Sequence, residues 1–387
     1  MRKDYFKIAC LFLFISFTSC NSEDSFTFFN YPVACTTANT FVGDVYLQSQ
    51  SEVDDFVQNN YCSIQGDLII GSMSGFYTDI SDLTGFSSLS MITGRIEIEQ
   101  NEFLQNLNGL ENIVEIGSRL TIDGNPALTT MDALNNNIRI GGSISVLSNR
   151  ALVSMGNFPN VTTLNYLTII DNPLIQNLNA FSALETVNNS VQVTANHSLT
   201  SMQGLGNLTI VEEQLWIGIN NSLRSLSGLN SLSEVRTGRF WVYQNPILQN
   251  LSGLENVDTI ALLHISRNLN MTSLTGIEGL SNLTVGLDIQ ENNALTFLVN
   301  FDNLKLGENT ETNGIAIRNN ANLTTLSGLE SIQDFTGLLT IYENSSLRNF
   351  CDLQTILING TIGIVRIDTN FFNPSQTDIE NGINCSI

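Results

Sequence analysis

Apolar residues recur along most of the chain in one frame, L-x-I-x-x-N-x-x-L-x-x-L, which the stretch from Leu120 to Leu134 (LTIDGNPALTTMDAL) displays without interruption. The Asn of the frame can be followed through Asn101, Asn125, Asn149, Asn172, Asn196, Asn220, Asn245, Asn268, Asn292, Asn320, Asn344 and Asn370, at intervals of 23 to 28 residues and most often 24. A fixed period of that size predicts a solenoid in which each repeat is one coil and stacked coils share a continuous core. Length alone would suggest two or three globular domains, but an array grows along one axis, so one elongated domain is the expected count.

Each coil opens on an alternating triplet such as Ile96-Glu97-Ile98, Leu120-Thr121-Ile122 or Leu287-Asp288-Ile289. Period-two alternation predicts a short strand with two residues inside and one outside. After the Asn, apolar residues stand three apart, as in Leu248, Leu251, Leu254, Val257 and Ile260. That spacing could be helical, but Gly109, Gly204, Gly228, Gly253, Gly276 and Gly328 interrupt it, and a glycine costs a helix about 1 kcal/mol. Short extended sides joined by corners are therefore predicted. Stacking would pair each strand with its counterpart one coil on, about 4.8 Å away, giving parallel sheets. An Asn at a corner can visit the left-handed region and bond backbone groups one coil away, so the Asn column reads as a structural ladder. Sequons in the chain, such as Asn160-Val161-Thr162, read as by-products.

The ends depart from the frame. Asp44-Val45-Tyr46-Leu47 predicts a first strand, and Ser51 with an acid three positions later predicts a capped helix that covers the first coil. Ile64 to Ile70 reads as a degenerate opening rung, followed by a longer turn to Asp82. Between Leu306 and Ile315 the sequence GENTETNG adds a polar loop, and after Asn370 the frame stops. Upstream, Arg2, Lys3 and Lys7 precede an apolar run from Ile8 to Phe17 that is too short to span a bilayer of about 30 Å, which predicts an export signal over residues 1–19. Residues 20–40 read as a tether, 41–385 as the β-helix, with caps at 41–65 and 351–385.

Composition narrows the function classes. Without residues 1–19 the chain keeps 12 Lys+Arg against 36 Asp+Glu, a surface that repels nucleic acid and anionic headgroups. Of the six cysteines, Cys10 would leave with the signal. Cys35, Cys62, Cys351 and Cys385 lie two before and two at the end of the repeats, and coils hold the pairs far apart, so Cys35–Cys62 and Cys351–Cys385 are the expected disulfides. Without CxxC spacing or nearby His, a metal site is not expected, and no motif calls for a cofactor. His197 and His264 are the only histidines and Lys305 the only lysine after the signal, so the chain reads as non-enzymatic.

Two resemblances follow from these residues. Phe17-Thr18-Ser19-Cys20 resembles the lipobox of bacterial lipoproteins, which implies acylation of Cys20, and Asn21-Ser22-Glu23-Asp24 resembles the acidic export signal of Bacteroidota lipoproteins. Together they imply attachment to the bacterial outer membrane, facing the cell exterior. GLENIVEIGSRLTIDGNPALTTM and its siblings resemble the receptor L-domain, over about residues 41 to 385. That likeness implies an all-β, right-handed parallel β-helix of about 12 coils. A leucine-rich-repeat horseshoe is the runner-up. It is disfavoured because two residues, not one, separate Asn from the next Leu and no convex helix is visible.

The outward residue of each triplet is where a ligand would be read: Glu97, Thr121, Ser145, Thr168, Gln192, Trp216, Trp241, His264, Asp288, Ala316, Thr340 and Arg366. The only two tryptophans occupy this column on consecutive coils, with Arg239, Tyr243 and His264 close by, so stacked rungs would set the indoles side by side. Aromatics in a row suit a sugar ring or a partner's apolar anchor; equally, they can serve only to pair strands. The reading is a monomeric, adhesin-like binding protein for a glycan or protein ligand. A structural or decoy surface protein and a polysaccharide-active β-helical enzyme are the alternatives.

Overall fold

The computed structural model describes residue 35 and residues 37–387, apart from 73, 135–136, 300, 302–303, 307–313 and 333–334. The export signal, Cys20, most of the tether and nearly all of the GENTETNG loop lie outside the described residues. Residues 35–387 form one compact unit. It is a parallel β-solenoid of about 13 turns, slightly more than the Asn count because the opening rungs at Val45–Leu47 and Leu68–Gly71 carry no ladder Asn. Among the described residues all pairs of strands are parallel, in one sheet of 16 strands and one of 5.

The alternating triplets are strands, as at Ile96–Glu99, Leu120–Asp123 and Ile144–Leu147. Registers place Glu97 beside Thr121, Thr121 beside Ser145 and Ser145 beside Thr168, and continue in step to Thr340 beside Arg366. The column expected to face outward is therefore stacked over its whole length, although Glu97 and Thr121 within it are buried. In the first coils a separate two-residue strand precedes the main one, as Glu115–Ile116 precedes Leu120–Asp123. From Thr163–Ile170 onward the two often fuse into one long, bulged strand, of which Glu234–Tyr243 is an example. Inward Leu, Ile and Val are fully buried, at about 1.5 to 3 kcal/mol each, which gives every coil a core without any cofactor.

The Asn ladder is present, but the left-handed residue is not the Asn. It is the residue before it: Gln100, Ser148, Asp171, Ala195, Ile219, Gln244, Arg267, Glu291, Asn319, Glu343 and Thr369 have φ between 52° and 59°, and Gly124 has 65°. The strand must turn sharply there, and the fully buried Asn stabilises the turn from inside. Its Oδ1 accepts the backbone N–H of the Asn one coil earlier, as Asn220 does from Asn196 (2.9 Å). Its Nδ2 donates to a strand carbonyl of the preceding coil, as Asn220 does to Val193 (3.0 Å). Both ends of the column are closed: Thr78 Oγ1 donates to Asn101 Oδ1 (2.6 Å), and Asn373 Oδ1 accepts from the Asn370 amide (2.9 Å).

The third side of each coil is not a strand. Apolar spacing of three arises from successive tight turns, such as Leu254 N–H to Leu251 O (3.2 Å) and Val257 N–H to Leu254 O (2.9 Å). The glycine column belongs to these turns. Gly253 has φ +114°, and a Cβ there would lie 2.3 Å from the Leu226 carbonyl carbon of the previous coil. Its N–H is taken by the Glu255 carboxylate (2.9 Å), an arrangement repeated at Gly109 with Glu111 and at Gly276 with Glu278.

The N-terminal cap is the helix Gln50–Val57, with Ser49 rather than Ser51 as N-cap; its hydroxyl accepts from Glu52 N–H (3.2 Å). Val53 is buried, and Phe56 meets Phe41, Tyr61 and Phe86. At the far end the cap expected over residues 351–385 carries the helices Gln354–Asn359 and Gln376–Glu380. The disulfides are Cys35–Cys62 and Cys351–Cys385, with Cα atoms 5.7 and 5.0 Å apart. Asn220→Ala is expected to cost about 2 to 4 kcal/mol in urea unfolding, because it strands the buried Asn196 N–H and removes a partner of the Val193 carbonyl. Asn373→Ala should cost clearly less, since water reaches that exposed end of the column.

Candidate functional site

Trp216 sits on the strand Gln214–Gly218, and Trp241 and Tyr243 on Glu234–Tyr243, with Trp216 and Trp241 in register. The five residues singled out from sequence converge. The indoles stack with centroids 5.2 Å apart and planes 12° apart. Tyr243 meets Trp241 edge-on at 6.3 Å, His264 lies 5.7 Å from it, and the Arg239 guanidinium stands 5.4 Å from its ring centre. Tyr243 also needs Gly218 beneath it, since a Cβ there would come 2.3 Å from the phenol ring. Burial pushes the Tyr243 phenol above its ordinary pKa.

The stacking changes what the indoles can offer. Two rings this close and nearly parallel must overlap along the coil axis, so a face of each is spent on the other. Trp241 meets Arg239 and His264 as well. Both indole N–H groups are buried, with no hydrogen-bond partner among the described residues.

His264 anchors a polar network that the sequence did not reveal, because its members come from two outward columns. Its Nδ1 lies 2.9 Å from Asp288 Oδ2, and its Nε2 3.0 Å from Ser266 Oγ and 3.3 Å from Gln290 Nε2. Arg318 reaches Asp288 (3.2 Å) and Gln290 (2.8 Å). Since the carboxylate accepts, Nδ1 carries the proton and Nε2 receives the Ser266 hydroxyl, the connectivity of a nucleophilic triad. Two features oppose that chemistry. Ser266 is only 7% exposed. The neighbouring Arg267 N–H, which could face an oxyanion, is donated to the Gln290 carbonyl (3.2 Å). The network fits a cross-coil brace better than a reacting centre.

A second charged cluster lies at the other end of the column. Glu97, 3% exposed, accepts from Arg119 (2.6 Å) and Arg95 (3.2 Å), and Arg95 also reaches Asp67 (2.9 Å). Two residues along the same strands, Glu99 and Asp123 are register partners. Burial raises the pKa of both, and for Glu99 the charges of Glu97 and Asp123 add to it against Arg119 and Arg95. Among the described residues no group of His, Cys, Asp and Glu is placed to hold a metal ion.

No protein-family profile, curated protein or solved structure matches the chain. A carboxyl with a raised folded-state pKa holds a proton at pH values where the unfolded chain has lost it, so its contribution to stability falls as pH rises through that window. Glu99→Gln is accordingly expected to raise the unfolding temperature at pH 7, and the gain should vanish below about pH 4.5, the ordinary value for the group. A gain independent of pH would show that the effect is not ionisation.

Proposed function

We propose that this chain is a non-catalytic, lipid-anchored surface protein of receptor L-domain type that binds a glycan or protein ligand on the outer face of its solenoid. The observation that carries the reading is the convergence of Arg239, Trp216, Trp241, Tyr243 and His264 into one half-buried cluster on a solvent-facing sheet. A contact area rich in Trp, Tyr and Arg has the composition of a binding hot spot. The acidic balance opposes a phosphate-bearing partner. Support for display at a membrane is the Cys20 motif and the export signal before it; among the described residues no helix is long and apolar enough to cross a bilayer.

One observation favours a second reading, in which the cluster only fastens coils together. Phe158 and Phe181 stack across coils in the core, at 5.7 Å and 22°, where no ligand could reach them. The indole pair could be the same device placed outside. The two readings separate on one pair of measurements. Trp216→Ala with Trp241→Ala should abolish binding to host cells while lowering the unfolding temperature only slightly. Unchanged binding together with a large thermal loss would leave the fastening role alone. Cys20→Ser should eliminate labelling by a fatty-acid analogue and release the protein from the membrane fraction; retained labelling would move the anchor elsewhere.

A further inference from the structure

Around the corner from the aromatic face runs a groove of about 840 Å³, built from the residues before and after the ladder Asn on six consecutive coils, from Ile219 and Asn221 to Glu343 and Ser345. Five coil spacings of about 4.8 Å make it about 24 Å long. It is a trough rather than a cleft, with one wall formed by the left-handed corner residues and the other by the residues that follow the Asn.

We infer that this groove is a second binding site, for a linear, uncharged polysaccharide. Its charges argue first. The only cation in its lining, Arg267, is held by Glu291 through two bonds of 2.7 and 3.2 Å, and Glu343 adds a further carboxylate. An anionic chain would find no free cation there and would meet a protein with a formal net charge of −22.

The polar groups argue next. Asn221, Gln244 and Asn319 are exposed primary amides whose side chains make no hydrogen bond within the described protein. Each offers donors and an acceptor, the complement of a sugar hydroxyl. Between them Ile219 (36% exposed), Pro246 and Leu269 (54% exposed) supply apolar surface for the C–H face of a pyranose ring.

The backbone argues against a peptide. An extended polypeptide is captured by adding a strand to free main-chain groups. Here the corner amides are already spent: Ile219 N–H is donated to the Tyr243 carbonyl and Gln244 N–H to that of Ser266, each at 3.0 Å. Recognition must therefore run through side chains. The repeat of the lining matches a polymer that advances by about one coil rise per ring.

The test uses the chain without its signal and lipid, with neutral hexasaccharides of glucose, mannose and xylose, hexagalacturonate as anionic probe and an unstructured peptide as control, all followed by calorimetry. At least one neutral hexasaccharide should bind, and shortening it to two rings should weaken it at least about tenfold. Ala321→Trp, which fills the trough, should weaken it by a similar factor. So should Gln244→Ala, at a corner where Ala195 shows that alanine is accommodated. Thr168→Ala, on a coil outside both the groove and the aromatic cluster, should leave this affinity unchanged. The inference is overturned if no neutral hexasaccharide binds, if hexagalacturonate or the peptide binds instead, or if both groove variants, folded by circular dichroism, bind as the parent does.

Discussion

The buried asparagine column is the constraint on which the rest depends. A coil of about two dozen residues must turn sharply after each strand, and here it does so through a left-handed residue that is a glycine at only one of twelve corners. Such a conformation costs a side-chain-bearing residue about 1 kcal/mol or more, and more still for branched Ile219 and Thr369. The ladder compensates. Each Asn satisfies backbone groups of its neighbours that would otherwise be buried unpaired. Because each Asn bonds to the coils on both sides of it, the ladder also locks their register.

Register is what turns a repeated sequence into a surface. Once coils cannot slip, like positions pile into columns, and a residue type at one position becomes a stripe. The indole pair, the His264 network, the Glu99–Asp123 pair and the corner groove are all products of that stacking. None requires a specialised loop. The same logic explains why the glycine column matters: its turns bring one coil's backbone so close to the next that a Cβ at Gly253 would collide with a carbonyl.

Much of this was legible in the sequence. Period-two triplets and a recurring Asn were enough to place the strands, the outward column and the two disulfides, because those features depend on spacing alone. The left-handed residue was misplaced by one position, since Asn propensity points to itself whereas the geometry needs Asn to be the brace and its predecessor the bend. The third side was read as extended, because a spacing of three does not distinguish a strand from successive tight turns. The Ser266–His264–Asp288 network was not visible because it joins two neighbouring outward columns, and the Glu99–Asp123 pair because it lies two residues along the strands from the column read for ligands; both proximities appear only after coils are stacked. The groove escaped for a related reason: its lining residues flank the Asn and share no chemical type.

Cysteine pairs placed in the outward column test the stacking most directly, because a disulfide closes only when Cα atoms lie within about 7 Å. Ser145 and Thr168 are register partners on adjacent coils, whereas Ser145 and Gln192 are two coils, about 10 Å, apart. Ser145→Cys with Thr168→Cys should oxidise completely within the monomer, as read by mass after alkylation, while Ser145→Cys with Gln192→Cys should remain as free thiols. Closure of the second pair, or failure of the first in a folded protein, would contradict the stacked, register-locked solenoid and every surface derived from it.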